Sequence, residues 1–157
     1  MRTGLRELEG LYRMEFVRFV RVATAITRDA DAAADVVQEA FARAIKSHGK
    51  FRGEGPLEAW LWRIVVKEAR RRGAPPATVV ERAGEPVANG TPAEGAAVRA
   101  LVAALPERQR LAVFLRYYAD LDYRTIAQVL GVETGTVSAT LAAAHRSLRQ
   151  ALEGVRS

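Results

Sequence analysis

Side chains suited to nucleophilic, acid–base or metal chemistry are scarce in this chain. It has two histidines, His48 and His145, and no cysteine among 157 residues. Disulfides and thiolate metal sites are therefore excluded. There is no phosphate-cradling glycine loop, no paired-histidine metal motif and no nucleophile beside a recognisable activating partner. Glu39 with Glu54 or Glu58 would make an acid–base pair only if the fold brought them together, and they fall on different elements. Both histidines read as solvated side chains near helix ends. The expectation is a protein with no cofactor and no catalytic residue, one that binds and does not catalyse.

The stronger chemical signal is cationic and aromatic. The net charge is +6 and the isoelectric point about 10.3, which points to an anionic partner such as nucleic acid or an acidic protein surface. At about 100° per residue, Trp62, Arg63, Val66 and Arg70 fall together on one helix face, away from the stripe of Leu57, Trp60, Leu61, Ile64, Val65 and Glu68. A ring among cations can stack on an unpaired base while the cations hold its phosphates. Helix geometry alone supports another reading equally: Arg70, Arg71 and Arg72 complement the negative end of the helix dipole, and Trp62 covers an apolar seam.

The elements that must position these residues are helical. Residues 1–73 carry 15 Lys+Arg against 10 Asp+Glu, residues 74–95 carry 1 against 3, and residues 96–157 carry 8 against 5, so an acidic block separates two basic ones. The middle block holds four of the six prolines and no sustained apolar period, as a flexible linker does. Before it, Leu5, Leu8, Tyr12, Phe16, Phe19, Ala23 and Ile26 form one stripe. Asp29 or Asp31 can cap a second helix bearing Val37, Ala40, Phe41, Ala44 and Ile45, ending near Gly49, and Pro56 sits where a third helix would begin. After it, a helix is expected around residues 96–104, and Pro106 opens another through Leu111, Phe114, Leu115 and Tyr118. Asp122 can then cap a short helix with Ile126, Ala127 and Leu130 inward, Gly131 supplies a turn, and Val137, Leu141, Ala144, Leu148 and Leu152 line a longer helix. This is the pattern of a helix-turn-helix, whose second helix enters the major groove. No apolar run approaches the roughly 20 residues of a membrane span, and the opening MRTGLRELEG lacks the features of a secretory signal. The fold class expected is all-α, two small helical domains joined by a flexible linker: three helices over 1–73, the linker over 74–95, and four helices over 96–157.

Two long segments carry a family resemblance. DADAAADVVQEAFARAIKSHGKFRGEGPLEAWLWRI resembles region two of the extracytoplasmic-function sigma factors of bacterial RNA polymerase, and LPERQRLAVFLRYYADLDYRTIAQVLGVETGTV resembles their region four. They stand in the family's order, and no further sensor domain is expected after the second. The resemblance implies a cytoplasmic protein that binds core RNA polymerase and directs it to promoter DNA, often with an anti-sigma protein as a further partner. By this resemblance Asp35, Gln38, Glu39 and Arg43 would dock the clamp helices of the largest polymerase subunit, a polar face meeting a basic coiled coil. From helix spacing alone, Asp35 and Glu39 read equally as a solvated face with an ion pair from Glu39 to Arg43.

The resemblance also places Phe51 to Gly55 and the outer face of the third helix against the minus-ten element, where a base is flipped out at a cost of a few kcal/mol. Arg52, Trp62, Arg63, Lys67 and Arg70 are the residues implied, with Trp60 in the core. Lys67 replaces the asparagine common in the family's R-I-x-x-N pattern, and a lysine holds phosphate as a point charge without reading a base edge. After Val137 the family commonly reads K-S-R-L-x-R-A-R, whereas here Ser138 to His145 are almost free of cations. Thr136, Ser138 and Thr140 can hydrogen-bond to DNA, Ala139 or the Thr140 methyl can meet a thymine methyl, and Arg124, Arg146 and Arg149 can hold phosphates. Weak unaided binding to the minus-thirty-five element is therefore expected. The rival readings are a stand-alone dimeric helix-turn-helix regulator and a sigma-like interaction protein that reads DNA poorly. An RNA-binding module is more remote, since no stacking-sheet signature occurs.

Overall fold

The computed structural model describes residues 2–53, 55–73 and 92–156, with side chains over 4–53, 55–73 and 95–154. All regular structure among them is helical, in two compact units, the first carrying α1 to α3 and the second most of the residues from Pro92 on.

In the first unit, α1 runs Arg2–Thr27 and α2 Ala30–Ser47, followed by a 3-10 turn His48–Lys50, and α3 runs Leu57–Arg72. The break after α1 is chemical. Arg28 adopts φ +60°, the buried Thr27 hydroxyl donates back to the Ala23 carbonyl at 2.8 Å, and the Asp29 carboxylate accepts from the Asp31 and Ala32 amides at 3.0 and 3.2 Å. Asp29, of the two candidates, is thus the cap of α2. Pro56 is the residue before α3 and Gly73 closes it with φ +70°.

The core joins Leu8, Phe19, Val22 and Ala23 of α1, Val36, Val37, Ala40, Phe41 and Ala44 of α2, and Leu61, Trp62, Val65, Val66 and Ala69 of α3. Phe19 is its hub, 4.1 Å from the Trp62 ring centroid and 5.4 Å edge-on from Phe41. Leu5, Tyr12 and Ile45, expected in the apolar stripes, are exposed instead. They lie at the rims of their stripes, and three helices lack the area to cover every rim.

In the second unit, α4 runs Pro92–Ala103, α5 Glu107–Val113, a π-helical turn Phe114–Tyr118, α6 Tyr123–Leu130 and α7 Thr134–Arg156. The helix therefore begins inside the stretch read as linker, at a proline suited to a first turn; residues 74–91 of that stretch lie outside the described residues. Arg110 of α5 donates to the carbonyls of Ala103 and Leu105, both at 3.3 Å, and so closes the end of α4. Leu111, Phe114, Leu115, Leu121, Ile126, Ala127, Val137, Leu141 and Ala144 form the core, whereas Leu152, assigned to the inner stripe, is exposed.

Candidate functional site

Helix α2 presents a polar ridge because Val36, Val37, Ala40, Phe41 and Ala44 fall on the opposite side, with Ile45 exposed near its end. With Val36, Val37, Ala40, Phe41 and Ala44 buried, Asp35, Gln38, Glu39 and Arg43 are left in solvent. Glu39 and Arg43 each take a partner on α3, in place of the i, i+4 pair considered from their spacing. The Arg72 guanidinium lies 3.6 Å from the Glu39 carboxylate, and that of Arg43 lies 3.2 Å from Glu68. Glu68 is buried, as its place in the core-facing stripe predicted, and accepts two hydrogen bonds from Arg71, each 3.1 Å. Arg71 and Arg72 are thus ion-pair partners of acidic groups, beyond any complement to the helix dipole.

The outer face of α3 differs from the expected one. Trp62, expected among the cations, is fully buried against Phe19, and its indole N–H donates to the Glu58 carboxylate at 3.3 Å. Val66, placed on the same outer face, is buried as well. Leu61 with Trp62 and Val65 with Val66 are adjacent apolar pairs, so two neighbouring stripes satisfied the helical period. All four are buried, so the covered arc of α3 is wider than one stripe, and contact with Phe19 takes Trp62 into it. A buried Trp62 offers no face to a base. The half-exposed aromatic surface belongs instead to Trp60, assigned earlier to the core, whose ring leans on Phe51 at 5.4 Å between centroids. Its signal was the aromatic Phe51 shortly before α3, a partner outside the helical period.

Arg63, Lys67 and Arg70 are exposed on α3, and Arg52 is exposed in the preceding loop. Gly53 and Gly55 hold φ of +75° and +91°, conformations that L side chains rarely adopt, so the loop can turn sharply toward α3. Glu54 lies outside the described residues. Glu58 serves Trp62 and faces Arg18 at 3.8 Å, while Glu39 faces Arg72, so the structure gives each carboxylate a basic or indole partner of its own.

In the second unit the Asp122 carboxylate accepts from the Thr125 amide at 2.8 Å and starts α6. That backbone hydrogen bond, then one from the Thr125 side chain, holds the Asp122 carboxyl below its ordinary value. Gly131, with φ +69°, turns the chain between α6 and α7. Arg116 donates to the Leu121 carbonyl at 3.1 Å and stands 5.7 Å from the Tyr123 ring centroid, fixing the entry to α6. On α7, Ser138, Ala139 and Arg146 are exposed and Thr136 and Thr140 half-buried, while Arg124 is exposed on α6. The exposed surface of the first turns of α7 is small and hydroxylic, with Arg146 its first cation. The histidines make local contacts: His48 Nδ1 lies 2.6 Å from the Ile45 carbonyl oxygen, and His145 Nε2 2.7 Å from the Tyr117 hydroxyl. Among the described residues no group of three His, Cys, Asp or Glu could hold a metal ion. No described helix is long and apolar enough to cross a membrane.

Comparison with known proteins agrees with both units. The family model for sigma-70 region 2 matches residues 11–73, and that for sigma-70 region 4 matches residues 95–148. The chain is 32% identical to the RNA polymerase sigma-H factor of Pseudomonas aeruginosa, with 87% of this chain and 78% of that protein aligned. It is 33% identical to the ECF RNA polymerase sigma factor SigM of Mycobacterium tuberculosis, over 90% of this chain and 75% of the relative. Among solved structures, the fold is shared with CnrH in complex with the cytosolic domain of CnrY, at TM-score 0.74 and 23% identity over 96% of this chain and 90% of that one. It is shared also with the sigma factor RpoE in complex with the anti-sigma factor NepR from Bartonella quintana, at TM-score 0.68 and 21% identity over 92% and 97%. A helix-turn-helix alone is common to many regulators, but both sigma-70 regions in order, with relatives of this identity over most of the chain, are not. The chain belongs to the extracytoplasmic-function sigma factors, the transcription initiation factors that direct RNA polymerase to promoters.

Proposed function

We propose that the two units divide the work of promoter recognition. Asp35, Gln38, Glu39 and Arg43 dock core polymerase. Arg52, Arg63, Lys67 and Arg70, with Trp60 on Phe51 in place of the buried Trp62, take the separated strand of the minus-ten element. Arg124, Thr136, Ser138, Ala139, Thr140 and Arg146 touch duplex at the minus-thirty-five element. The observation that carries the reading is the α2 ridge, four polar side chains left in solvent on a helix whose other face is buried. Directional hydrogen bonds and charge on such a ridge suit a polar coiled-coil partner. The protein acts by binding, with no catalytic residue or cofactor of its own, and works in the cytoplasm where polymerase is. An anti-sigma protein is a fitting further partner, as the sigma factor RpoE, of the same fold, is solved in complex with the anti-sigma factor NepR.

The test mixes the purified chain with core polymerase and assays transcription from a panel of promoters of its own genome. Promoter-specific transcripts are expected. Replacing Asp35 and Glu39 together by lysine should abolish core binding at unchanged helicity, with only a small fall in melting temperature from the lost Glu39–Arg72 pair; unaltered binding would remove both from the docking face. Polymerase binding without transcripts would favour the interaction-protein reading, which the alanine-rich surface of α7 suits.

A further inference from the structure

Among the described residues of the first unit one carboxylate is buried, Glu68, with two basic partners, and its placement bears on docking. The Glu68 side chain is 2% exposed, whereas Arg43, across the helix pair, is 53% exposed. A carboxylate is costly to bury and stays only where cations and hydrogen bonds compensate it. Arg71, one turn along the same helix, supplies a two-pronged contact, 3.1 Å to each oxygen. That neutralisation leaves Arg43 free of the task. A guanidinium has five N–H donors in a planar fork, and the Arg43 Nη2 nitrogen lies 3.2 Å from a Glu68 carboxylate oxygen.

We infer that Glu68 is a positioning residue for polymerase docking: it brackets the Arg43 guanidinium on the α2 ridge, with donors left over for acceptors on the partner. The inference rests on the proposed docking role of Arg43. A long side chain loses rotamer freedom when a partner immobilises it, at about 0.5–1.5 kcal/mol, a factor of about 2–10 in affinity, and a bracket that orders it beforehand removes that loss. Glu39 and Arg72 repeat the arrangement one turn away, at 3.6 Å, so the ridge is tied to α3 at two successive points. Asp35 needs such a bracket less, being shorter and having fewer rotamers.

The experiment titrates the full chain and its variants against core RNA polymerase by fluorescence anisotropy, with melting followed by circular dichroism. Arg43→Ala and Glu68→Gln should each weaken core binding several-fold, up to about tenfold, and the double variant should bind no worse than Arg43→Ala. Arg71→Leu removes a Glu68 partner but keeps the Arg43 contact. It should lower the melting temperature and leave core affinity unchanged, which separates positioning from stability. Wild-type affinity in Glu68→Gln with weakened Arg43→Ala, or fully multiplicative losses in the double variant, overturns the bracket and spares the docking role. Wild-type affinity in Arg43→Ala overturns both. If Glu68→Gln does not fold, Glu68→Asp, which keeps the charge but withdraws it by one methylene, is read in the same way.

Discussion

Trp60 and Trp62 stand two residues apart and have opposite fates, because a helix turns about 200° between them. Trp62 fills the space beside Phe19, so Trp62→Ala should cost about 3–5 kcal/mol of stability, measured by urea unfolding. That is a large share of the roughly 5–15 kcal/mol a domain possesses. Trp60→Ala should cost far less stability and lower promoter opening on pre-bound polymerase by about tenfold, as expected for loss of one base-stacking ring. Asp122 offers a pH test. Its carboxyl sits below the ordinary 3.8 in the folded protein, so its capping contribution is fully present above that value and is lost as pH falls through the depressed folded value. Asp122→Ala should lower stability at neutral pH by about 1 kcal/mol, and the gap between variant and parent should close in strong acid, as read from melting at stepped pH.

For the elements, the chain breaks are more diagnostic than the helices they separate. Gly131 holds φ +69° with open space where a Cβ would lie, so strain alone opposes a side chain there. Gly131→Ala should cost about 1 kcal/mol and lower the melting temperature without abolishing the fold. Helix α7 exposes Ser138, Ala139 and Ala142, on the surface proposed to face DNA, without a cation among them. Ala142→Arg should tighten duplex binding and steepen its salt dependence by about 0.9 per added phosphate contact. An unchanged slope in a filter-binding series would place Ala142 away from the DNA. Caps and turns at Asp29, Pro56, Pro106, Asp122 and Gly131 were all legible in the sequence, since each depends on the chemistry of one residue acting on its immediate neighbours. The width of the buried arc of α3 was not legible, because the runs Leu61-Trp62 and Val65-Val66 suit two neighbouring faces and the structure buries both.

Across the whole molecule, charge sets the expectation. A net +6 spread over two basic blocks draws the chain toward nucleic acid without selecting a sequence. The chain alone should bind duplex weakly, with affinity falling steeply between low and physiological salt, and should discriminate its promoters only once core polymerase is present. Tight, sequence-selective binding by the isolated chain in a salt titration would contradict the division of labour between the units.

The amino-acid order by itself determined the all-α class, the two modules and the family, because apolar period, capping residues and contiguous motifs are all local properties of the chain. It also placed Asp35, Gln38, Glu39 and Arg43 outward on α2, opposite Val37, Ala40, Phe41 and Ala44, although Ile45 of the same stripe is exposed. Only the tertiary structure decided that Trp62 is core and Trp60 half-exposed, and that Glu39 and Arg43 answer to Arg72 and Glu68 across the helix pair and not to each other. Those outcomes depend on which neighbouring helix supplies the closer partner, a ring at Phe19 or a charge at the end of α3, and such partners lie far away along the chain.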